Sequence, residues 1–156
     1  MKRLALILAI VASCSRKEET KPEPAKPHLE FLRAEPGEIV AQQVVSERAK
    51  AKQRGRTMLV YIGATWCEPC QRFHKAAQSG ALDKEFPTLT LLEYDLDIDG
   101  SRLSKAGYAP GYIPYFGIPG DDGKATTQAV AGSIKGEGAV DDITPKLHTL
   151  LGDSPL

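Results

Sequence analysis

Met58-Leu59-Val60-Tyr61-Ile62 is an unbroken apolar run of strand length. A strand that is apolar at every position has both faces buried, as in a parallel sheet covered on both sides. That run constrains the rest of the chain, because helices must then supply the cover. The sequence offers them in alternation. Leu29–Arg33 reads as a weak strand, and Pro36–Arg54 as a helix with Ile39, Val40, Gln43, Val44 and Ala51 at helical spacing and Gly55 at its end. A helix over Cys67–Ser79, a strand over Leu89–Leu96 and a short helix over Ser101–Ala106 follow. Ile113–Ile118 is a strand opened by Pro114, Gly120-Asp121-Asp122-Gly123 a hairpin turn, and Ala125–Val130 the return strand. Asp141–Leu151 closes the pattern as a helix, with Asp141 or Asp142 near its cap and Pro145 in its first turn. The order β-α-β-α-β-α-β-β-α predicts an α/β fold with a central sheet flanked by helices on both faces.

Length allows one such core. The chain has 156 residues, 42% apolar and 26% charged, the balance of a single globular domain. Lys plus Arg and Asp plus Glu both number 20, and a zero net charge points away from nucleic acid as a partner. Three Cys are too few for a disulfide-dense scaffold, and the odd count sets one of them apart.

The cysteine set apart is Cys14. Lys2 and Arg3 precede an apolar run from Leu4 to Ala12, far shorter than the roughly 20 residues of a membrane-spanning helix. The run has the size of a signal-peptide core. It ends in Val11-Ala12-Ser13-Cys14, which resembles the bacterial lipobox. That resemblance implies export, cleavage after residue 13, and a lipid on Cys14 that holds the protein to a membrane. Residues 14–30 carry Pro22, Pro24 and Pro27 among charges of both signs and read as a semi-rigid tether. Residues 31–152 are then the folded domain, and residues 153–156 a tail.

Trp66-Cys67-Glu68-Pro69-Cys70 follows the strand ending at Ile62 and opens a helix. Gly111-Tyr112-Ile113-Pro114 precedes a later hydrophobic strand. On these segments and on the 120–124 hairpin, the chain resembles the thioredoxin-like family over roughly residues 31–152. The resemblance implies a thioredoxin fold, a thiol–disulfide oxidoreductase with no cofactor beyond its redox-active Cys67–Cys70 disulfide, and a cis-proline at Pro114. The backbone of Ile113, with Tyr112 beside it, would bind an extended substrate segment.

The chemistry of the motif supports that reading. Two cysteines separated by two residues at a helix start can close a small disulfide ring. The helix N-terminus stabilises a thiolate on the first. Cys67 is therefore the expected nucleophile and Cys70 the resolving thiol. Pro69 stiffens the first turn, and Trp66 is expected to pack beside the pair and shield it from water. Two other readings stay open at this stage: a structural disulfide, and a zinc or copper site built from the pair and one of His28, His74 and His148. His74, four residues after Cys70, reads as a solvated helix residue.

The sequence departs from thioredoxins in places. Tyr61 stands where they bury an Asp, and Glu93 where they carry a Lys. Glu93 reads either as a proton relay or as a strand-end carboxylate in water. Pro110 and Tyr112 add bulk before Pro114. The Cys-Glu-Pro-Cys motif is similar to that of membrane-tethered extracytoplasmic reductases. A carboxylate at Glu68 disfavours a Cys67 thiolate, which predicts a reductant. Expected partners are disulfide-containing envelope proteins, such as apocytochrome c or another thioredoxin-like protein, and an upstream membrane electron donor, at the periplasmic face of a bacterial envelope. Arg48, Lys50, Lys52, Arg54 and Arg56 read as a solvated helix end, and Asp95, Asp97 and Asp99 as a solvated strand end.

Overall fold

The computed structural model describes residues 27–152. The segment read as a signal peptide, Cys14, the span read as a tether up to residue 26 and the residues read as a tail lie outside the described residues. The elements are β1 (Glu30–Arg33), α1 (Val40–Gln53), β2 (Thr57–Gly63), α2 (Glu68–Gln78), β3 (Leu89–Asp95), α3 (Leu96–Lys105), β4 (Tyr115–Pro119), β5 (Ala125–Ala131) and α4 (Ala139–Leu151). Their order matches the expectation. They build a five-stranded sheet in the order β1-β3-β2-β4-β5. β1 and β2 run parallel to β3, whereas β4 runs antiparallel to both β2 and β5.

β2 is central and has a core on each side. Met58, Val60 and Ile62 face a cluster with Val40 and Val44 of α1 and Leu103 of α3. Leu59 and Tyr61 face a second cluster with Phe73 of α2 and Ile143 and Leu147 of α4. Period-two alternation of the strand sends an apolar side chain into each core in turn, so the unbroken run serves both. Among the described residues no helix is long and apolar enough to cross a membrane.

Several expectations are corrected. Leu29 is buried and Glu30 opens β1, inside the span read as tether. α1 starts at Val40 rather than Pro36. α3 starts at Leu96, five residues before the predicted Ser101, because the Asp95 carboxylate caps it by accepting from the N–H groups of Asp97 and Ile98. Asp97 and Asp99 thus lie in a helical first turn, and Asp99 is buried, accepting from the Asp95 N–H and pairing with Arg102. Gly138 is the N-cap of α4 with Asp141 and Asp142 in its first turn, near the cap as expected, whereas Pro145 lies inside that helix beyond its first turn.

The basic cluster also divides. Arg56 is buried and donates to Thr90 Oγ1 and to the carbonyls of His28 and Leu89, with Glu30 at 3.2 Å. Arg54 pairs with Glu30, and Arg48 reaches Asp121 and the Gly120 carbonyl on the β4–β5 turn. These cations tie elements together, and only Lys50 and Lys52 behave as a solvated helix end.

Candidate active site

Cys67 is the N-cap of α2, with extended backbone (φ −78°, ψ 102°), and its Sγ accepts from the Cys70 N–H at 3.3 Å. The two cysteines form a disulfide with their Cα atoms 5.2 Å apart. Glu68 and Pro69 fill the first two helical positions, where Pro69 removes no helical hydrogen bond because that N–H has no intrahelical acceptor. Free N–H groups at this helix end favour negative charge on Cys67 when the bond is reduced. Cys67 is 4% exposed and Cys70 2%.

The Ile113–Pro114 peptide bond is cis. Ile113 packs with Leu96 against the cluster of Ala64, Cys67 and Cys70, so the proline loop and the cysteine turn meet. Tyr112 is 77% exposed and leans on Gly132, where an added Cβ would lie 3.3 Å from the Tyr112 Cβ.

Trp66, expected to pack beside the pair, has a polar partner of its own. It is 63% exposed and donates from Nε1 to Asp97 Oδ2 at 2.7 Å. Leu96 and Ile113 are the partly buried side chains packed against the cluster of Ala64, Cys67 and Cys70. The capped start of α3 places Asp97 where it captures the Trp66 N–H.

Glu68 is also engaged. It pairs with Arg72 one turn on and accepts from the Gly136 N–H at 3.1 and 3.2 Å. The Arg72 hydrogen bond first, and the Gly136 N–H second, hold its carboxyl below the usual glutamate range. The carboxylate is therefore ionised at neutral pH, with a guanidinium beside it. An i,i+4 Glu–Arg pair is visible in sequence; its link to Gly136 is not.

A cavity of about 500 Å³ opens on the Cys70 side of the pair and is lined in part by Tyr61, Gly63, Cys70, His74 and Glu93. His74 Nε2 lies 2.7 Å from Glu93 Oε1, and the imidazole stacks on Phe31 at 3.9 Å. His74 is thus not a solvated helix residue, and Glu93 is not a carboxylate left to water. The sequence cue for His74 was its i,i+4 spacing from Cys70. Its partner comes from β3, out of reach of any local rule. Tyr61 is fully buried and its hydroxyl has no partner among the described residues. Burial foremost, then the charges of Glu93 and Asp95, push its ionisation far up, so it stays neutral.

Among the described residues no group of three or more His, Cys, Asp or Glu side chains is placed to hold a metal ion. His28 and His148 sit away from the pair, His28 beside Pro87 and His148 beside Glu85.

A family profile described as Thioredoxin-like matches residues 40–88, which run from α1 through α2 and include both cysteines. No curated protein matches the chain in sequence. Among solved structures, the chain is similar to a thioredoxin from Trichomonas vaginalis, at 18% identity and a TM-score of 0.50 over 82% of this chain and 98% of that one. The fold is a thioredoxin fold. Oxidised thioredoxin O1 from Arabidopsis thaliana also matches, at 20% identity and a TM-score of 0.47 over 80% of this chain and 96% of that one. The expectation of a thiol–disulfide oxidoreductase stands, in its general form, on this fold, the family match and the Cys67–Cys70 disulfide.

Proposed function

We propose that this protein reduces disulfides in proteins of the bacterial cell envelope, held to a membrane by a lipid on Cys14. The observation that carries the exchange reaction is the Cys67–Cys70 disulfide at the N-terminus of α2, packed against cis Ile113–Pro114. The envelope setting is supported by the Lys2–Cys14 segment, with its basic start, apolar run and lipobox-like end.

In the reduced protein the Cys67 thiolate attacks one sulfur of a client disulfide. The client's second sulfur leaves as a thiolate, and a mixed disulfide joins Cys67 to the client. Cys70 then loses its proton and attacks Cys67 Sγ, breaking the mixed disulfide. The client leaves as a dithiol two electrons richer, and Cys67–Cys70 is oxidised. We assign the Cys70 proton to Glu93, whose carboxylate lines the same cavity and is oriented by His74. The Ile113 backbone and Tyr112 receive the client segment. Clients are envelope proteins such as apocytochrome c or another thioredoxin-like protein, and a membrane thiol donor restores the dithiol.

Direction is tested by the reduction potential. A value near about −270 mV or lower fits a reductant, and one near about −120 mV overturns that direction. Exchange itself is tested with Cys70→Ser in the intact chain. It should accumulate a mixed disulfide through Cys67, visible as a thiol-sensitive band, while Cys67→Ser traps nothing. A Cys70→Ser protein that traps no partner, while the wild type fails to reduce insulin, would sink the reaction.

A further inference from the structure

We infer that residues 132–136 form a client-facing strap strung between the proline loop and the cysteine turn, and that Glu68 is the positioning residue that fastens its far end. The inference rests on the exchange reaction proposed above and names what selects its substrate.

The strap is bolted at both ends. Its first residue donates from the Gly132 N–H to the Pro114 carbonyl at 2.8 Å. Its last donates from the Gly136 N–H to both oxygens of Glu68. Gly136 has φ +90°, a conformation in which a side chain would be strained. α4 braces the middle: Ser133 Oγ donates to the Ala139 carbonyl, and Lys146 Nζ to the Gly132 carbonyl. Between the bolts the strap exposes Ile134 and Lys135, and Ile134 is 57% exposed.

The two anchors are the residue after the nucleophile and the cis-proline, so the strap borders the place where a client disulfide must lie. An exposed isoleucine there offers apolar contact to a polypeptide flanking the disulfide, and a small-molecule disulfide has no such flank. Fastening the strap before binding removes the ordering entropy that a loose segment would cost each client. Glu68 therefore acts on recognition. Its carboxylate is engaged by Arg72 and by the Gly136 N–H.

The test compares two disulfides with the full chain: insulin as the protein substrate and glutathione disulfide as the small one. The readout is the ratio of their kcat/KM values. Glu68→Ala should lower that ratio about tenfold through KM for insulin. Glu68→Gln keeps an oxygen for the Gly136 N–H and should restore the ratio to within about threefold of wild type. Ile134→Ser, which leaves α2 untouched, should lower the ratio as Glu68→Ala does. If all three variants leave the ratio unchanged, or Glu68→Gln is as damaged as Glu68→Ala while the reduction potential moves, the strap is overturned and Glu68 is an electrostatic tuner. A wild type inert toward both disulfides overturns the exchange reaction and this inference with it, whereas an active enzyme with an unchanged ratio overturns this inference alone.

Discussion

Single positions at this site are decided by which hydrogen-bond partner lies within about 3 Å. Glu68 is adjacent to Cys67, yet its carboxylate serves Arg72 and Gly136. Trp66 is also adjacent, yet its indole serves Asp97. Gly123 shows how little slack some positions have. It sits in the β4–β5 turn at φ +77°, and an added Cβ would lie 2.0 Å from the Ala41 carbonyl oxygen of α1. Gly123→Ala combines left-handed strain with a backbone clash, and should cost about 2–3 kcal/mol. A urea midpoint within error of wild type would contradict that geometry. The sequence marked Gly123 as a turn glycine; the α1 backbone beneath it is a tertiary fact.

At the scale of elements, β2 was legible because five apolar residues in a row leave a strand little choice but to be buried on both faces. α2 was legible from its cysteine turn and Pro69. α3 was not. Gly100 lies in its middle, and glycine is a poor helix former, so the helical signal began only at Ser101. Asp95 compensates by capping the first turn, and the Asp99–Arg102 pair supports the next. Asp95→Ala should therefore cost about 1 kcal/mol of stability. It should also loosen Trp66, since Asp97 would no longer be held in a helical turn. Urea denaturation and Trp66 fluorescence would read the two effects, and a stable variant with unchanged fluorescence would contradict the capping role.

For the molecule as a whole, zero net charge pointed away from nucleic acid, and among the described residues several charges pair with one another between elements. Arg54 and Arg56 converge on Glu30 where β1 meets β3, and His74 meets Glu93 beneath the cysteine turn. Burial pushes the Glu30 carboxyl up, but hydrogen bonds from Arg54 and Thr90 and the charges of Arg54 and Arg56 outweigh it and hold the group below its ordinary value of 4.5. A carboxyl depressed in the folded state adds stability above its unfolded pKa, and that stability is lost as pH falls through the folded one. Folding stability should thus drop below about pH 4.5, and Glu30→Gln should flatten that drop while lowering stability at neutral pH. Equal acid sensitivity of variant and wild type in urea titrations from pH 7 to 3 would show that Glu30 is not the group responsible.

From the sequence alone one could read the alternation of elements, the buried central strand, and the two cysteines at a helix start. These are local: period, composition and spacing within one element or its flanks carry them. Which partner each charged or aromatic side chain would find was decided only by the tertiary structure. Glu68 meets Gly136 across 68 residues and Arg56 meets His28 across 28. His74 meets a carboxylate on β3, and Trp66 meets one on α3. Such pairings follow from strand order and from which face each helix covers, so no window of neighbouring residues contains them.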